Sequence, residues 1–374
     1  MSEITIKTVA AQKDLLKFIK LPWKLYQDDP YWVPPLIMDR KKLLDKKHNP
    51  FFKHAEMELF LAYKNGELVG RIAGICNENH NNFHKDKMGF FGFYESINDK
   101  VVMQALFDKV ISWLKDHDKN GMYGPMNPST NDEIGLLIKG FDSPPYIMMC
   151  HNPPYYQNLF EEYGLKKAKD LYAWHIDAVK RDVPERMVRI AQQTAAKYNI
   201  TLRNLNIKNL KSEVHLLREV FNDAWSNNWG FVPLTDEELE HAADELKQIA
   251  DEEFLLIAEK NGKAVGFSIT LPNINEILIK NRNGRLLPFG LVKLMLGLKK
   301  IRTMRLPLLG IIKEYQHIGL GALFYMETLN RAKKRGVTAG EMSWVLEDNV
   351  PMNKAIENLG AEIYKTYRIY ELNF

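Results

Sequence analysis

The pattern of apolar and polar positions repeats in two stretches of the chain that read almost alike. Glu58-Leu59-Phe60-Leu61-Ala62-Tyr63-Lys64-Asn65-Gly66-Glu67-Leu68-Val69-Gly70 recurs as Glu253-Phe254-Leu255-Leu256-Ile257-Ala258-Glu259-Lys260-Asn261-Gly262-Lys263-Ala264-Val265-Gly266. Each predicts a hairpin: an apolar strand, an Asn-Gly turn and a second strand. Ala62 matches Ala258, Gly66 matches Gly262 and Gly70 matches Gly266. The same offset relates Ile4-Thr5-Ile6-Lys7 to Ile200-Thr201-Leu202-Arg203, and Glu162-Tyr163-Gly164-Leu165 to Asn358-Leu359-Gly360-Ala361. Trp32-Val33-Pro34 is echoed by Phe231-Val232-Pro233, displaced by three residues. One Asn-Gly hairpin means little, but landmarks held at one spacing predict two copies of one fold. The expected division is 1–178 and 200–374, with a helical linker over 179–199 that contains Glu185-Arg186-Met187-Val188-Arg189-Ile190-Ala191.

The copies differ where the second one carries its clearest chemical signal. Leu306-Pro307-Leu308-Leu309-Gly310-Ile311-Ile312 reads as a buried strand, and Gln316-His317-Ile318-Gly319-Leu320-Gly321 as a glycine turn. A helix then runs on through Ala322, Leu323, Tyr325, Met326 and Leu329 at helical spacing. Glycines let a ligand approach the backbone, and a helix N-terminus offers unpaired N–H groups to an anion such as a pyrophosphate. The spacing is neither G-x-x-x-x-G-K-[ST] nor G-x-G-x-x-G. In the first copy the matching stretch, Phe93-Tyr94-Glu95-Ser96-Ile97-Asn98-Asp99-Lys100, has no glycine turn and is acidic where an anion would sit. The second copy alone is therefore expected to bind the anion.

At 374 residues, 45% hydrophobic and 26% charged, the chain has the size and composition of a folded protein of two domains. A formal charge of +4 does not point to a nucleic-acid partner. Two cysteines, Cys76 and Cys150, and no Cys/His cluster at ligand spacing argue against a disulfide framework or a structural metal. The start Met1-Ser2-Glu3-Ile4-Thr5-Ile6 lacks a signal-peptide pattern, and no apolar run reaches the length of a membrane span. A cytoplasmic protein is expected. One segment qualifies this: 285–305 is apolar, basic at its end through Lys299, Lys300, Arg302 and Arg305, and carries Lys293 within. That composition suits peripheral contact with a membrane's inner face or a lipid-lined entrance.

The glycine turn resembles the acyl-CoA pyrophosphate loop of the GNAT superfamily of N-acetyltransferases. The residues downstream of the turn strengthen the likeness: Gly336-Val337-Thr338-Ala339-Gly340, the strand Glu341-Met342-Ser343-Trp344-Val345-Leu346, then Asn349-Val350-Pro351-Met352, Leu359-Gly360-Ala361 and a strand from Tyr364 to Leu372. With the tandem repeat, the 285–305 insert, Tyr31-Trp32-Val33-Pro34-Pro35-Leu36, Gly124-Pro125-Met126-Asn127-Pro128-Ser129-Thr130-Asn131 and Ser343 to Asn349, the chain resembles the bacterial ceramide-synthase-like members over essentially its whole length. The resemblance implies an α/β fold with a mixed sheet in two tandem GNAT-like domains. It also implies acyl-CoA or acetyl-CoA as co-substrate without a metal, and N-acylation of a small-molecule or lipid amine, a long-chain amino alcohol in the narrower family. Cofactor contacts are then expected from Ile312, Gln316, His317, Ile318, Gly319, Leu320, Gly321 and Ala322, with Asn349 on the CoA arm near sulfur. The superfamily's usual tyrosine acid, seven residues after that Asn, is Ile356 here.

Amide formation needs a neutral amine, a polarised thioester carbonyl and a protonated leaving thiolate. An alkylamine with a pKa near ~10.4 is mostly protonated at neutral pH, and reaching the nucleophilic form costs about 4 kcal/mol. Glu341 is the first candidate base and Glu347 the second, with Glu95 of the first copy a further carboxylate; Tyr364 or Tyr367 would supply the thiolate's proton, and spacing favours neither. Carbonyl polarisation is expected from a backbone N–H near Ile312 or Lys313. Asn127, Ser129 and Asn131, with Trp344, are expected to hold the acceptor, although such polar residues also satisfy their own turns. His48, His80 and His84 are isolated and expected to be non-catalytic. Two rival functions remain: a transferase of the Fem type using aminoacyl-tRNA, against which the glycine loop counts, and a non-catalytic lipid- or CoA-binding protein.

Overall fold

The computed structural model describes residues 3–286 and 290–374. The first half of the chain runs β1 (Ile4–Thr8), α1 (Gln12–Leu25), α2 (Ile37–Leu43), β2 (Ala55–Lys64), β3 (Glu67–Asn77), α3 (Glu78–His84) and β4 (Met88–Ser96). It continues with α4 (Lys100–Asp116), β5 (Gly121–Gly124), β6 (Met126–Asn127), β7 (Glu133–Ile134), β8 (Leu136–Lys139), α5 (Tyr155–Tyr163) and β9 (Lys166–Asp177). The second half runs α6 (Glu185–Tyr198), β10 (Ile200–Asn204), α7 (Leu210–Trp225), α8 (Asp236–Leu246), β11 (Leu255–Lys260), β12 (Lys263–Pro272), α9 (Asn275–Leu278) and α10 (Gly290–Leu298). It ends with β13 (Thr303–Ile311), α11 (Leu320–Arg335), β14 (Ala339–Leu346), α12 (Val350–Asn358) and β15 (Glu362–Asn373).

The repeat seen in the sequence is a repeat of hydrogen-bonded register. Ile4 faces Lys64 and Ile6 faces Ala62, as Ile200 faces Lys260 and Leu202 faces Ala258. Both hairpins bulge at the same place, after Ala62 and after Ala258. Both turns use Asn then Gly at positive φ, 50° and 82° at Asn65-Gly66 and 51° and 76° at Asn261-Gly262. That is the backbone a two-residue hairpin needs to match strand twist. In each copy three antiparallel pairings are followed by one parallel pairing, β4 with β5 and β13 with β14.

Two compact units result: 1–170, 278–292 and 365–374 form the first, and 171–277 with 293–364 form the second. These do not follow the linear division 1–178 and 200–374. The last strand of each copy serves the other copy's sheet. Strand β15 pairs antiparallel with β5 and β8, and β9 pairs antiparallel with β14. In the first unit β15 is fixed by the buried Lys365, whose Nζ donates to the carbonyls of Gly140 at 2.5 Å and Ser143 at 2.8 Å. Arg368 adds a bidentate pair with Asp170 at 2.8 and 3.0 Å, the geometry in which guanidinium–carboxylate bonds are strongest. The core of the first unit is aromatic, with Phe91, Tyr94, Phe107, Tyr156 and Phe160 in mutual ring contact under β2 to β5. The second unit packs α7 against β12 and β13, and α11 with α6 against the sheet. The expected linker is thus a working element: Ala191 of α6 is fully buried with Leu320 and Phe324 of α11.

Among the described residues no helix is long and apolar enough to cross a membrane. Of the basic apolar segment 285–305, residues 287–289 and the side chain of Lys293 lie outside the described residues. Within the rest, α10 exposes Leu291, Val292, Met295 and Leu296, and Lys299 and Lys300 are exposed after it. Arg305 departs from the expected basic end of that segment. It is 1% exposed, in β13.

Candidate active site

Strand β13 leads into a 3-10 turn over Lys313–Ile318 and then into α11. Gly319 is the N-cap, at a φ of 89°, and no side chain caps the helix. A helix of 16 residues therefore presents its positive end without a competing side-chain acceptor. Gln316 and His317 are exposed, Ile318, Gly319, Gly321 and Ala322 half-buried, and Leu320 buried. The Gln316 amide donates to the Ile311 carbonyl at 3.0 Å, bracing the turn. Thr194 Oγ1 of α6 donates to the Ile318 carbonyl at 2.6 Å. The two glycines differ in purpose. A Cβ on Gly319 would meet Ile190 Cγ2 at 2.5 Å, whereas one on Gly321 meets nothing nearer than 3.8 Å. Gly319 serves the packing of α6, and Gly321 leaves open room at the helix end.

Two backbone donors expected for the thioester carbonyl are already engaged. The Ile312 N–H donates to the Val265 carbonyl at 3.1 Å, and the Lys313 N–H to Asp223 Oδ2 at 2.5 Å. The Ile312 N–H thus closes the β12–β13 ladder. What is open is the edge of β13. Its parallel pairing with β14 covers only Thr303 to Leu306 against Ala339 to Met342. Past the Leu306–Met342 pair the two strands are no longer laddered.

One row of ionisable side chains crosses the sheet just before that opening. Arg305 of β13 faces Glu341 of β14, which faces His175 of β9. Glu341 and Arg305 are each 1% exposed, and the Arg305 Nε lies 3.5 Å from Glu341 Oε1. Ser343 Oγ donates to Glu341 Oε1 at 2.5 Å and accepts from Arg305 Nε at 2.9 Å. Tyr364 donates its hydroxyl to Glu341 Oε2, and its ring lies 5.4 Å from that of His175. Arg305 also lies over the Trp344 ring at 4.9 Å. Burial holds the His175 imidazole below the ordinary histidine range, so it is neutral at neutral pH. In the sequence Arg305 was read only as part of the basic end of 285–305, and His175 was not read at all. Each sits singly between apolar neighbours, Met304 and Leu306 or Trp174 and Ile176, which is the one signal that could have marked them.

The remaining expected residues have these surroundings. Tyr367 belongs to the first unit and is fully buried there, so the phenol gathered with Glu341 is Tyr364. Asn349 uses its side-chain oxygen to cap α12 through the Met352 N–H at 3.2 Å. Glu347 is half-buried at the end of β14. Asn127 accepts from the Phe93 N–H at 2.6 Å, steadying a residue at a φ of 50°. Ser129 Oγ donates to Asp132 at 2.6 Å and accepts from the Asn131 N–H at 3.1 Å, so both serve their own turn.

No protein-family model matches the chain. Over 98% of its length it is 39% identical to Protein YghO of Escherichia coli (strain K12), of which it covers 94%. Over 99% of its length it is 40% identical to the bacterial ceramide synthase of Caulobacter vibrioides, of which it covers 97%. Among solved structures, a tandem GNAT protein from the clavulanic acid biosynthesis pathway superposes with a TM-score of 0.59 at 11% identity, covering 99% of this chain and 98% of that one. That likeness is one of fold.

Proposed function

The chain belongs to the family of tandem GNAT acyltransferases that includes the bacterial ceramide synthase of Caulobacter vibrioides, and on that premise we propose that it transfers a fatty acyl group from CoA to a long-chain amine. The observation that carries this reading is the uncapped start of α11 at the end of a strand whose ladder opens beside the Glu341 cluster. The diphosphate of CoA sits at Gly319 to Ala322, flanked by Gln316, His317 and Ile318. The pantetheine arm follows the open edge of β13, passing Asn349, and that edge past Leu306 polarises the thioester carbonyl.

Within the row, roles divide by contacts. Glu341, bound by Ser343 and Tyr364 and 3.5 Å from the Arg305 Nε, is the anchor that fixes Tyr364 and Ser343. His175, kept neutral, takes the proton from the acceptor ammonium. Tyr364 gives the thiolate its proton. Trp344 borders the acceptor, Glu347 is the alternative base, and the acceptor's apolar tail meets a lipid surface at the exposed side chains of α10.

The test is thiol release with acyl-CoAs of graded length against a panel of amines. Dependence on a long-chain amino alcohol supports the reading, and transfer only to short amines defeats it. In the same assay kcat/KM should hold as pH drops to about 6.5 and fall only below it, because protonation of His175 is disfavoured in the fold. His175→Gln should remove that acid limb.

A further inference from the structure

The first unit has a cleft of its own, where β2 begins and α4 ends. It holds about 300 Å³, room for about ten waters. Glu56 and Glu58 of β2 line it, with Trp113 and His117 at the end of α4 and with Lys46 and Phe52 from the segment between α2 and β2. None of these residues belongs to the glycine turn or to the charged row. Side chains alternate across a strand, so Glu56 and Glu58 share a face of β2 with Phe60 and Ala62. Those two are buried in the core with Val110 and Leu114 of α4. A strand that served only packing would carry apolar residues on that face to its end, and this one carries two acids.

Glu58 is half-buried, and its carboxylate accepts from the neighbouring Leu59 N–H at 3.3 Å. Among the described residues no cation pairs with it, Lys46 included. Glu56 Oε2 lies 3.4 Å from His117 Nε2. His117 is held by Trp113: its Nδ1 donates to the Trp113 carbonyl at 2.7 Å, and its ring lies 4.1 Å from the indole. Gly74, opposite Glu58 on β3, seats that indole, since a Cβ there would meet Trp113 Cε3 at 2.8 Å. Phe52 is half-buried in the 3-10 turn Pro50–Lys53, which the Asn49 side chain caps through the Phe51 N–H at 3.0 Å. The cleft thus sets two carboxylates beside two aromatic side chains. Aromatic faces attract cations, and a carboxylate partly withdrawn from water gains most from a charged donor.

We propose that this cleft binds a small primary ammonium ion with an apolar body, the ammonium held by Glu58 and Glu56 and the body lying against Trp113 and Phe52. The first copy, whose own helix start is closed, then serves as a binding module for an organic amine. The proposal stands apart from the acyl-CoA reading, which uses none of these residues.

Calorimetric titration of the full-length protein with 2-phenylethylamine, 2-phenylethanol and 3-phenylpropionate tests it, because the three are alike in shape and differ in charge. The amine should bind about tenfold more tightly than the alcohol, and the carboxylate more weakly than either. Glu58→Gln, which keeps the side-chain shape, should weaken the amine by about tenfold and leave the alcohol unchanged. Glu56→Gln, at an exposed position that serves if Glu58→Gln does not fold, should weaken the amine by about threefold. Amine binding that both changes leave intact belongs to another site and overturns the proposal. Equal affinities for amine and alcohol, a preference for the carboxylate, or binding of none of the three would overturn it as well.

Discussion

At the end of β4 the next helix is closed by Asp99, whose carboxylate accepts from the Val101 N–H at 2.9 Å and the Val102 N–H at 3.4 Å and pairs with Lys64. At the end of β13 the corresponding helix begins at Gly319 and no side chain caps it. One copy closes its helix start with its own carboxylate, and the other leaves its helix start without a side-chain acceptor. The strands beside these helices differ in the same sense. In the first copy the Met126 backbone comes so close to Gly92 that a Cβ there would lie 1.7 Å from its carbonyl oxygen, so the space next to β4 is occupied by protein. In the second, β13 past Leu306 has no such neighbour on β14. At one matched cross-strand position the first copy has Arg71 opposite Glu95, with Tyr26 and Tyr156 donating to Glu95 at 2.7 and 2.8 Å; the second has Phe267 opposite Gly310. Burial raises the proton affinity of Glu95, as expected of a carboxylate enclosed for structure. Duplication kept the scaffold, and a handful of side chains set the two helix starts and the strands beside them apart.

The largest effect that would sharpen this contrast comes from the helix starts. Gly321→Glu places a carboxylate at the open end of α11, and its Cβ has room, so the fold should persist while CoA affinity falls by more than about a hundredfold. Val101→Glu, the matching change on α4, where Val101 is exposed, should leave CoA affinity unchanged. Calorimetric titration of both variants decides it, and equal losses would break the distinction. A smaller effect is expected from the two Tyr–Glu pairs. Tyr364→Phe should lower kcat by about a hundredfold at unchanged KM for acyl-CoA, whereas Tyr156→Phe should leave kcat within about twofold. Steady-state kinetics with one donor and one amine compare them directly.

The smallest effect is one of stability. Asp99→Ala removes a helix cap and should cost about 1 kcal/mol at neutral pH without touching CoA affinity. Lys64, bonded to Asp99, holds that carboxyl below its usual range. Its contribution is therefore present above the unfolded-state pKa and lost as pH falls through the folded value. Denaturant curves of variant and wild type should converge in acid.

The duplication was legible because turn chemistry is local: Asn65-Gly66 and Asn261-Gly262 fix their hairpins whatever surrounds them. The glycine turn was legible for the same reason. Partner choice among strands was not. Nothing within Lys166–Asp177 or Glu362–Asn373 distinguishes pairing in one copy from pairing in the other, and the two segments keep the repeat's offset. The charged row was hidden by pairings remote in sequence, since Arg305, Glu341 and His175 meet only through sheet register. Tyr364 and Tyr367 are three apart on one strand, and without its register spacing could not choose between them. Ile312 looked available because a sequence does not reveal that the Val265 carbonyl has already taken its N–H.

The traded last strands also govern how the chain can be made. A ribosome that has finished the first copy has delivered β9, which belongs with β14, while β5 still awaits β15. β5 therefore stays unpaired on that side until Glu362–Asn373 emerges, and Lys365 and Arg368 then hold β15 in place. Severing the gene between the copies would give two fragments, each holding the other's missing edge, and deleting β15 would wound the half translated first.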